Sequence, residues 1–398
     1  MKIYVFTNKF PTWSETFIYD EIAGLEKLSH TIRIIALGKD YFITHPILRQ
    51  IRVRNVRYLL KLSSYKDWLY HLKYPDFWRQ CLLPSLVSNR FRFFGMNALA
   101  ELIKREKPDL FLLHFGALGE IFLWLRRSFN IPFIVFFHGD EYNAVQRRRY
   151  NDYKDLFSLA DLFLVKSRYS HAKIIALGCR PEKVAIIPFG INPDLYPFSR
   201  ASTRRTSPAM KVLGVGRLVD NKDFELALKV IQKCVTRYPL LKYSIIGDGP
   251  LYPQLRRQIR SQGLGKRCFL MGARNMNWIS KELSESDIYL QPSRRDKDGE
   301  TETFGNTLLE AQLHGLPVLS TDLGGIPEIV DHEETGFLAP ESDAEALAEY
   351  LATLVEDGQL RKRMGERGRN NVLSRFNSKK QMLELERMLI DARAGVRG

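Results

Sequence analysis

The stretch DGETETFGNTLLEAQLHGLPV, residues 298–318, decides the fold and the candidate site together. It sets Glu302 and Glu310 with seven residues between them, around an aromatic–Gly–Asn turn. The second carboxylate falls on a predicted helix that closes at His314-Gly315 and yields to an apolar strand starting near Pro317. Gly just past a helix end, with Pro soon after, is a stop signal. A helix opening at Phe304-Gly305-Asn306 offers unpaired backbone N–H groups and a positive dipole end, which attract an anion. At about 1.5 Å of rise per residue the two carboxylates stand roughly 12 Å apart if every intervening residue is helical, and closer if Glu302 is a loop carboxylate. That reach suits a long ligand with hydroxyls at both ends and phosphate between them.

Upstream, GVGRLVDNKD (residues 214–223) follows a predicted strand and carries Arg217 and Lys222. Two cations after a Gly pair can neutralise phosphate oxygens. A dinucleotide fingerprint is incomplete here, because Val219 occupies the third glycine position.

Glu302-x7-Glu310, followed by Ala311 and Gly315-Leu316-Pro317-Val318, resembles the donor signature of retaining glycosyltransferases of the GT-B fold, family 4. The resemblance implies an α/β chain of two Rossmann-like domains facing across a cleft. It implies that Glu302 reads the donor sugar, that Glu310 holds the ribose, and that Gly216 and the amides of Phe304, Gly305, Asn306 and Thr307 approach the sugar and diphosphate. Residues 214–223 resemble the family's GRL-xxx-KG segment, with Asp223 standing where Gly is usual. Arg217 and Lys222 then stabilise the departing nucleoside diphosphate without a metal, and no other cofactor is implied. Asp296-Lys297-Asp298 mimics a metal-binding DxD, but it lies in a charged loop and reads as solvated. Ile245-Ile246-Gly247-Asp248-Gly249-Pro250 is a strand–turn–helix junction whose glycines are structural or nucleotide-facing.

In the first half, FIVFFHGD (residues 133–140) puts His138 just past a buried strand. The resemblance places this imidazole beside the reacting centre. His114, in His114-Phe115-Gly116, also ends a strand and is a weaker candidate on the acceptor side. FPTWSETFI (residues 10–18) replaces the Gly-rich loop that many family members carry, and resembles a bacterial exopolysaccharide subgroup of colanic-acid type. Ser14 is a good helix N-cap, so the amides beyond it, from Glu15 onward, would point at the ligand. Ser14 and Glu15 are therefore expected on the acceptor side, while a capped helix without ligand remains open.

A chain of 398 residues is long enough for two domains, and 26% charged with 45% apolar residues describes a globular protein. Four scattered cysteines form no CxxC spacing, which argues for reduced thiols and against a zinc site. No apolar run approaches the ~18 residues of a bilayer span, and MKIYVF reads as a first strand rather than a signal peptide. The net charge of +15 is uneven: residues 1–200 hold 30 Lys+Arg against 18 Asp+Glu, and the remainder 30 against 27. Residues 45–100 alone carry ten basic against two acidic side chains, with Trp68, Tyr70, Tyr74, Phe77 and Trp78 interleaved. A basic aromatic face suits an anionic membrane surface, where a lipid-linked acceptor resides. Core aromatics with solvated charges explain it equally well, and no nucleic-acid motif accompanies them.

Apolar runs alternating with helical stretches predict parallel strands at residues 3–6, 32–37, 110–114, 133–137, 162–165 and 184–188, then at 212–216, 243–247, 269–272, 288–291 and 317–321. Residues 192–208, with three prolines and SRASTRRTS, read as the linker. The expected domains are 1–200 and 205–374, with a last helix over about 375–398 packing back on the first. The reading is a cytoplasmic hexosyltransferase, peripheral on the inner face of the cell membrane. It would move a sugar from a UDP- or GDP-linked donor to a saccharide, lipid-linked, in surface-polysaccharide synthesis. The alternatives are a nucleotide-sugar-binding protein of this fold without catalysis and, more weakly, a nicotinamide oxidoreductase.

Overall fold

The computed structural model describes residues 1–11, 16–38, 56–58, 94–139, 141–142, 153–196 and 209–397. The expectations for Ser14, Glu15, Asp140, residues 197–208 and almost all of the basic aromatic stretch 45–100 lie outside these residues.

The chain divides into two compact units: Met1–Val165 with His171–Ile187 and Met382–Gly398, and Lys166–Ser170 with Pro188–Gln381. The sequence boundaries stood at 200 and 375, so both divisions shift by several residues.

Unit one is built on a seven-stranded sheet: β1 (Lys2–Lys9), β2 (Thr31–Gly38), β3 (Val56–Tyr58), β4 (Leu110–His114), β5 (Phe133–Phe136), β6 (Leu162–Val165) and β7 (Val184–Ile186). The order is β3-β2-β1-β4-β5-β6-β7, and every pair is parallel. Every residue of LFLLH and FIVF is buried, because both faces of a parallel sheet are covered and alternation is lost. Tyr4, Phe6, Phe111, Phe133 and Phe163 fill one face. Helix α1 (Thr16–Lys27) follows β1.

Unit two repeats the plan with six strands: β8 (Lys211–Val215), β9 (Lys242–Ile246), β10 (Cys268–Leu270), β11 (Ile288–Leu290), β12 (Val318–Thr321) and β13 (Gly336–Ala339). Their order is β10-β9-β8-β11-β12-β13, again all parallel. Period-two alternation sorts neighbours onto opposite faces: Val212 and Ile245 join one core, Leu213 and Ile246 the other. In both sheets the strand order reverses beside the first strand, between β1 and β4 and between β8 and β11. Ligands of open α/β sheets bind at the carboxyl ends of strands at that reversal.

The final helix, Ser378–Arg397, starts in unit two, where the Ser378 amide donates to the Ile191 carbonyl at 3.1 Å. Its later turns belong to unit one: Met382 fills the space against Gly24, His30 Nε2 lies 2.7 Å from Glu386, and Arg393 pairs with Asp109. Among the described residues no helix is long and apolar enough to cross a membrane.

Candidate active site

The carboxyl end of β8 runs into Gly216 and Arg217, then into a short turn, Asp220–Lys222, that delivers Lys222. Asp223 follows with φ 42° and ψ 44°, the left-handed conformation that favours glycine. Asp is among the few other residues that tolerate it. Its carboxylate accepts the Leu226 amide at 3.3 Å and so caps the helix Phe224–Val235. The departure from Gly at this position therefore gains a cap while keeping the turn.

Helix Asn306–Leu313 opens from Gly305, whose φ is 104°, and closes with the Leu316 amide donating back to the Ala311 carbonyl at 3.1 Å. Glu302 stands in the loop before it. Its carboxylate pairs with the Lys222 ammonium across 80 residues, and 14% of each side chain is exposed. Burial opposes the charge on Glu302, but Lys222, the Phe304 amide and Arg217 outweigh it and hold the carboxyl below its usual range. The Phe304 amide, expected in the ligand cradle, is thus turned toward Glu302. The Phe304 ring is core, edge-on to Phe376 at 5.8 Å. Glu302 is more buried and more tightly paired than a loop carboxylate needs to be.

Glu310 sits on the helix with Tyr196 donating its phenol O–H to Oε1 at 3.1 Å. One turn on, His314 Nδ1 lies 2.7 Å from the Glu310 carbonyl, and its Nε2 lies 2.9 Å from Ser280 Oγ. A carbonyl only accepts, so Nδ1 carries the proton and Nε2 accepts from Ser280. Burial lowers the His314 pKa, which favours this neutral form. Thr307 Oγ1 donates to Gln291 Oε1 at 3.0 Å, tying the first helical turn to the end of β11.

Two supports were missed in the sequence. Gly324 and Gly325 press against the backbone of Glu302 and Thr303, so closely that a Cβ on either would collide with a carbonyl oxygen. The Gly325 amide donates to the Glu302 carbonyl at 2.9 Å. A Gly-Gly pair is itself a sign of close backbone approach. Tyr196 was hidden inside the supposed linker. The glycines of the 245–250 junction have a structural reason, since Cβ atoms on Gly247 and Gly249 would strike the carbonyls of Gly216 and Leu218.

Asp296 Oδ1 accepts the amides of Asp298 and Glu300 at 2.9 and 2.8 Å, which makes a local turn of the DxD mimic. Among the described residues no group of three or more His, Cys, Asp or Glu is arranged to hold a metal ion.

In unit one, His138 follows β5 in a turn held by Glu141. That carboxylate accepts the amides of His138, Gly139 and Gly116 at 2.7 to 3.2 Å. His138 is partly exposed and ringed by Phe17, Phe115 and Phe136 at centroid distances of 4.6 to 4.7 Å. His114 has no exposed surface and lies with Nδ1 3.0 Å from His138 Nε2. Direct contact with an acceptor, the role the sequence suggested for His114, is therefore closed to it in this conformation; it reaches a ligand only through His138.

Two sheets of Rossmann order, each with polar groups gathered at its reversal, agree with the known proteins this chain resembles. The model of glycosyltransferase family 4 matches residues 14–195, and that of glycosyl transferases group 1 matches residues 197–371. The amylovoran biosynthesis glycosyltransferase AmsK of Erwinia amylovora is 30% identical over 371 residues, covering 89% of this chain and 90% of that protein. The putative colanic acid biosynthesis glycosyltransferase WcaL of Salmonella typhimurium is 28% identical, covering 88% and 90%. Among solved structures, Anabaena HepE in complex with UDP superposes with a TM-score of 0.76 at 20% identity, over 98% of this chain and 100% of that one. The fold is GT-B, and the chain is a glycosyltransferase that belongs to family 4, with its group 1 domain in the second unit.

Proposed function

We propose that the chain transfers a sugar, with retention, from a UDP- or GDP-linked donor to a saccharide acceptor in cell-surface polysaccharide synthesis. The relatives' roles in amylovoran and colanic acid synthesis and the UDP bound by HepE support this reading. The observation that carries it is the pairing of Lys222 with Glu302 between the end of β8 and the start of the Asn306–Leu313 helix. Glu302 would accept hydrogen bonds from donor-sugar hydroxyls, and Glu310 from the ribose. The N-terminal amides of the helix, at Asn306 and Thr307, would face the diphosphate.

In the transfer step the bond between the anomeric carbon and the diphosphate oxygen breaks, and the acceptor hydroxyl oxygen bonds to that carbon on the same face. The acceptor's proton passes to the departing phosphate oxygen. Arg217, which is exposed, and Lys222 would neutralise the charge that grows on the diphosphate. Lys222 has three N–H donors, enough to serve Glu302 and a phosphate together. With those cations in place the reaction would need no metal cofactor. His138 would contact a sugar hydroxyl.

The acceptor would be lipid-linked, with the enzyme peripheral on the cytoplasmic face of the membrane through its basic first half. A hydrolysis panel of UDP-glucose, UDP-galactose, UDP-N-acetylglucosamine, GDP-mannose and GDP-fucose tests the reading. One preferred donor, unaffected by EDTA and lost in Glu302→Gln, is expected; thermal stabilisation by a nucleotide without turnover of any donor would favour a binding protein instead.

A further inference from the structure

Lys222 reaches Glu302 from a turn that an arginine grips. Arg294 follows β11, the strand that pairs with β8, so the carboxyl ends of the two strands bring it to the turn Asp220–Lys222. Its amide donates to the Asn221 carbonyl at 3.2 Å, and its Nε to the Asp220 carbonyl at 3.1 Å. Its Nη atoms lie 3.5 Å from Asp220 Oδ1, 3.6 Å from Asp223 Oδ1 and 3.7 Å from Glu225 Oε2. One residue thus holds the turn on both sides of Lys222. The arginine is itself anchored through its neighbour. The Ser293 amide donates to Thr321 Oγ1 at 3.0 Å, Thr321 Oγ1 donates to the Ser293 carbonyl at 2.5 Å, and both residues are fully buried.

Asp223 explains why an arginine is needed there. Its side chain is only 4% exposed. Burial raises its carboxyl above the usual aspartate range, and the Arg294 guanidinium is the foremost charge opposing that rise. The other charged groups facing it are Glu225 and Lys229, both on the helix Phe224–Val235 that Asp223 caps. A glycine at 223 would allow the same left-handed turn with no charge to compensate. Aspartate adds a helix cap but buries a carboxylate, which is costly without a partner. A planar guanidinium can serve carboxylates and carbonyls together, and a lysine ammonium cannot reproduce that fork. Asp223 and Arg294 are therefore two halves of one device.

We propose that Arg294 is a positioning residue: paired with Asp223, it holds residues 220–223 so that the Lys222 ammonium stays against Glu302, in place for the departing diphosphate. The proposal rests on the role given to Lys222 above. Arg294 acts through the turn and not on the donor.

Donor hydrolysis by the intact chain tests it, with the most active donor of the panel and each variant assayed well below its own melting temperature. Arg294→Gln should lower kcat roughly ten- to hundredfold, the scale of a misplaced catalytic group. Donor KM should change much less, because the Lys222 charge matters most as the diphosphate departs. Arg294→Lys should recover only part of the loss. Asp223→Gly alone should stay close to wild type, since glycine suits the turn and is a tolerable cap. Added to Arg294→Gln, it should restore most of the turnover by removing the charge that Arg294 compensates. If Arg294→Gln melts too low to assay, Arg294→Lys with and without Asp223→Gly makes the same comparison. Wild-type kcat in Arg294→Gln, with Lys222→Met inactive, overturns the proposal and leaves the role of Lys222 standing. A double variant no better than Arg294→Gln also overturns it, as does a KM that rises as steeply as kcat falls, the mark of direct donor contact. Full turnover in Lys222→Met instead overturns the role of Lys222 and the proposal with it.

Discussion

Lys222 and Glu302 are each other's counter-ion, 80 residues apart in the chain and each only 14% exposed at the side chain. In the proposed function one group would neutralise phosphate and the other would read the sugar. The protein therefore holds the two charges proposed for donor binding against each other. A pair this buried is costly to break from one side, because the remaining charge is left without compensation.

Lys222→Met should therefore destabilise the protein by about 3 kcal/mol, and Lys222→Met with Glu302→Gln by clearly less. Denaturant titration of the three variants measures this, and equal costs for the single and double replacements would contradict the pairing. Turnover should be lost in all three.

The same pair gives a pH dependence. Glu302 is held below its unfolded carboxyl range, so its stabilisation is complete above the unfolded value and fades as pH falls through the folded one. Melting curves between pH 6 and pH 3 should drop more steeply for wild type than for Glu302→Gln.

His314 acts in the same direction at higher pH. Its folded pKa lies below the ordinary histidine value, so the unfolded chain binds the proton first as pH falls. Stability should decline as pH drops below about 6.5, the unfolded reference. His314→Gln should flatten the melting temperature between pH 7.5 and 5.5, and an unchanged slope would rule His314 out as its source.

Tyr196→Phe removes the phenol bond to Glu310 Oε1 and keeps the ring. Binding of UDP or GDP should weaken roughly three- to tenfold, the range of one hydrogen bond, with turnover at saturating donor preserved. Isothermal titration with each nucleotide checks it.

Gly325→Ala places a methyl group against the Thr303 carbonyl. The loop carrying Glu302 must shift, so nucleotide-sugar turnover should fall at least tenfold while the far face of the sheet, lined by Val212 and Ile245, is untouched. A fully active Gly325→Ala variant would show that the loop tolerates displacement.

Most of the sheet architecture was legible because continuous apolar runs are what doubly covered strands require. LFLLH was placed at its observed ends, as was residues 162–165. β3 and β13 were not found: VRY and GFLA are too short for any period to register. The site was legible where chemistry sits in one local segment, as in residues 302–310. It was illegible where two distant segments meet. Nothing near Tyr196 signals Glu310, and only the fold brings the pair together. Asp223 shows an intermediate case, since the departure from Gly was visible but the left-handed cap that explains it was not.

The last helix carries a consequence for synthesis on the ribosome. Met382, Glu386 and Arg393 complete unit one, whose other strands are finished by Ile186. At about 5–20 residues per second, the intervening ~200 residues take roughly 10–40 s to emerge. During that time the space beside Gly24, the ring of His30 and the carboxylate of Asp109 wait for partners not yet made. A nascent chain stopped before Met382 should present unit one with that seam open, and should engage chaperones until the final turns are released.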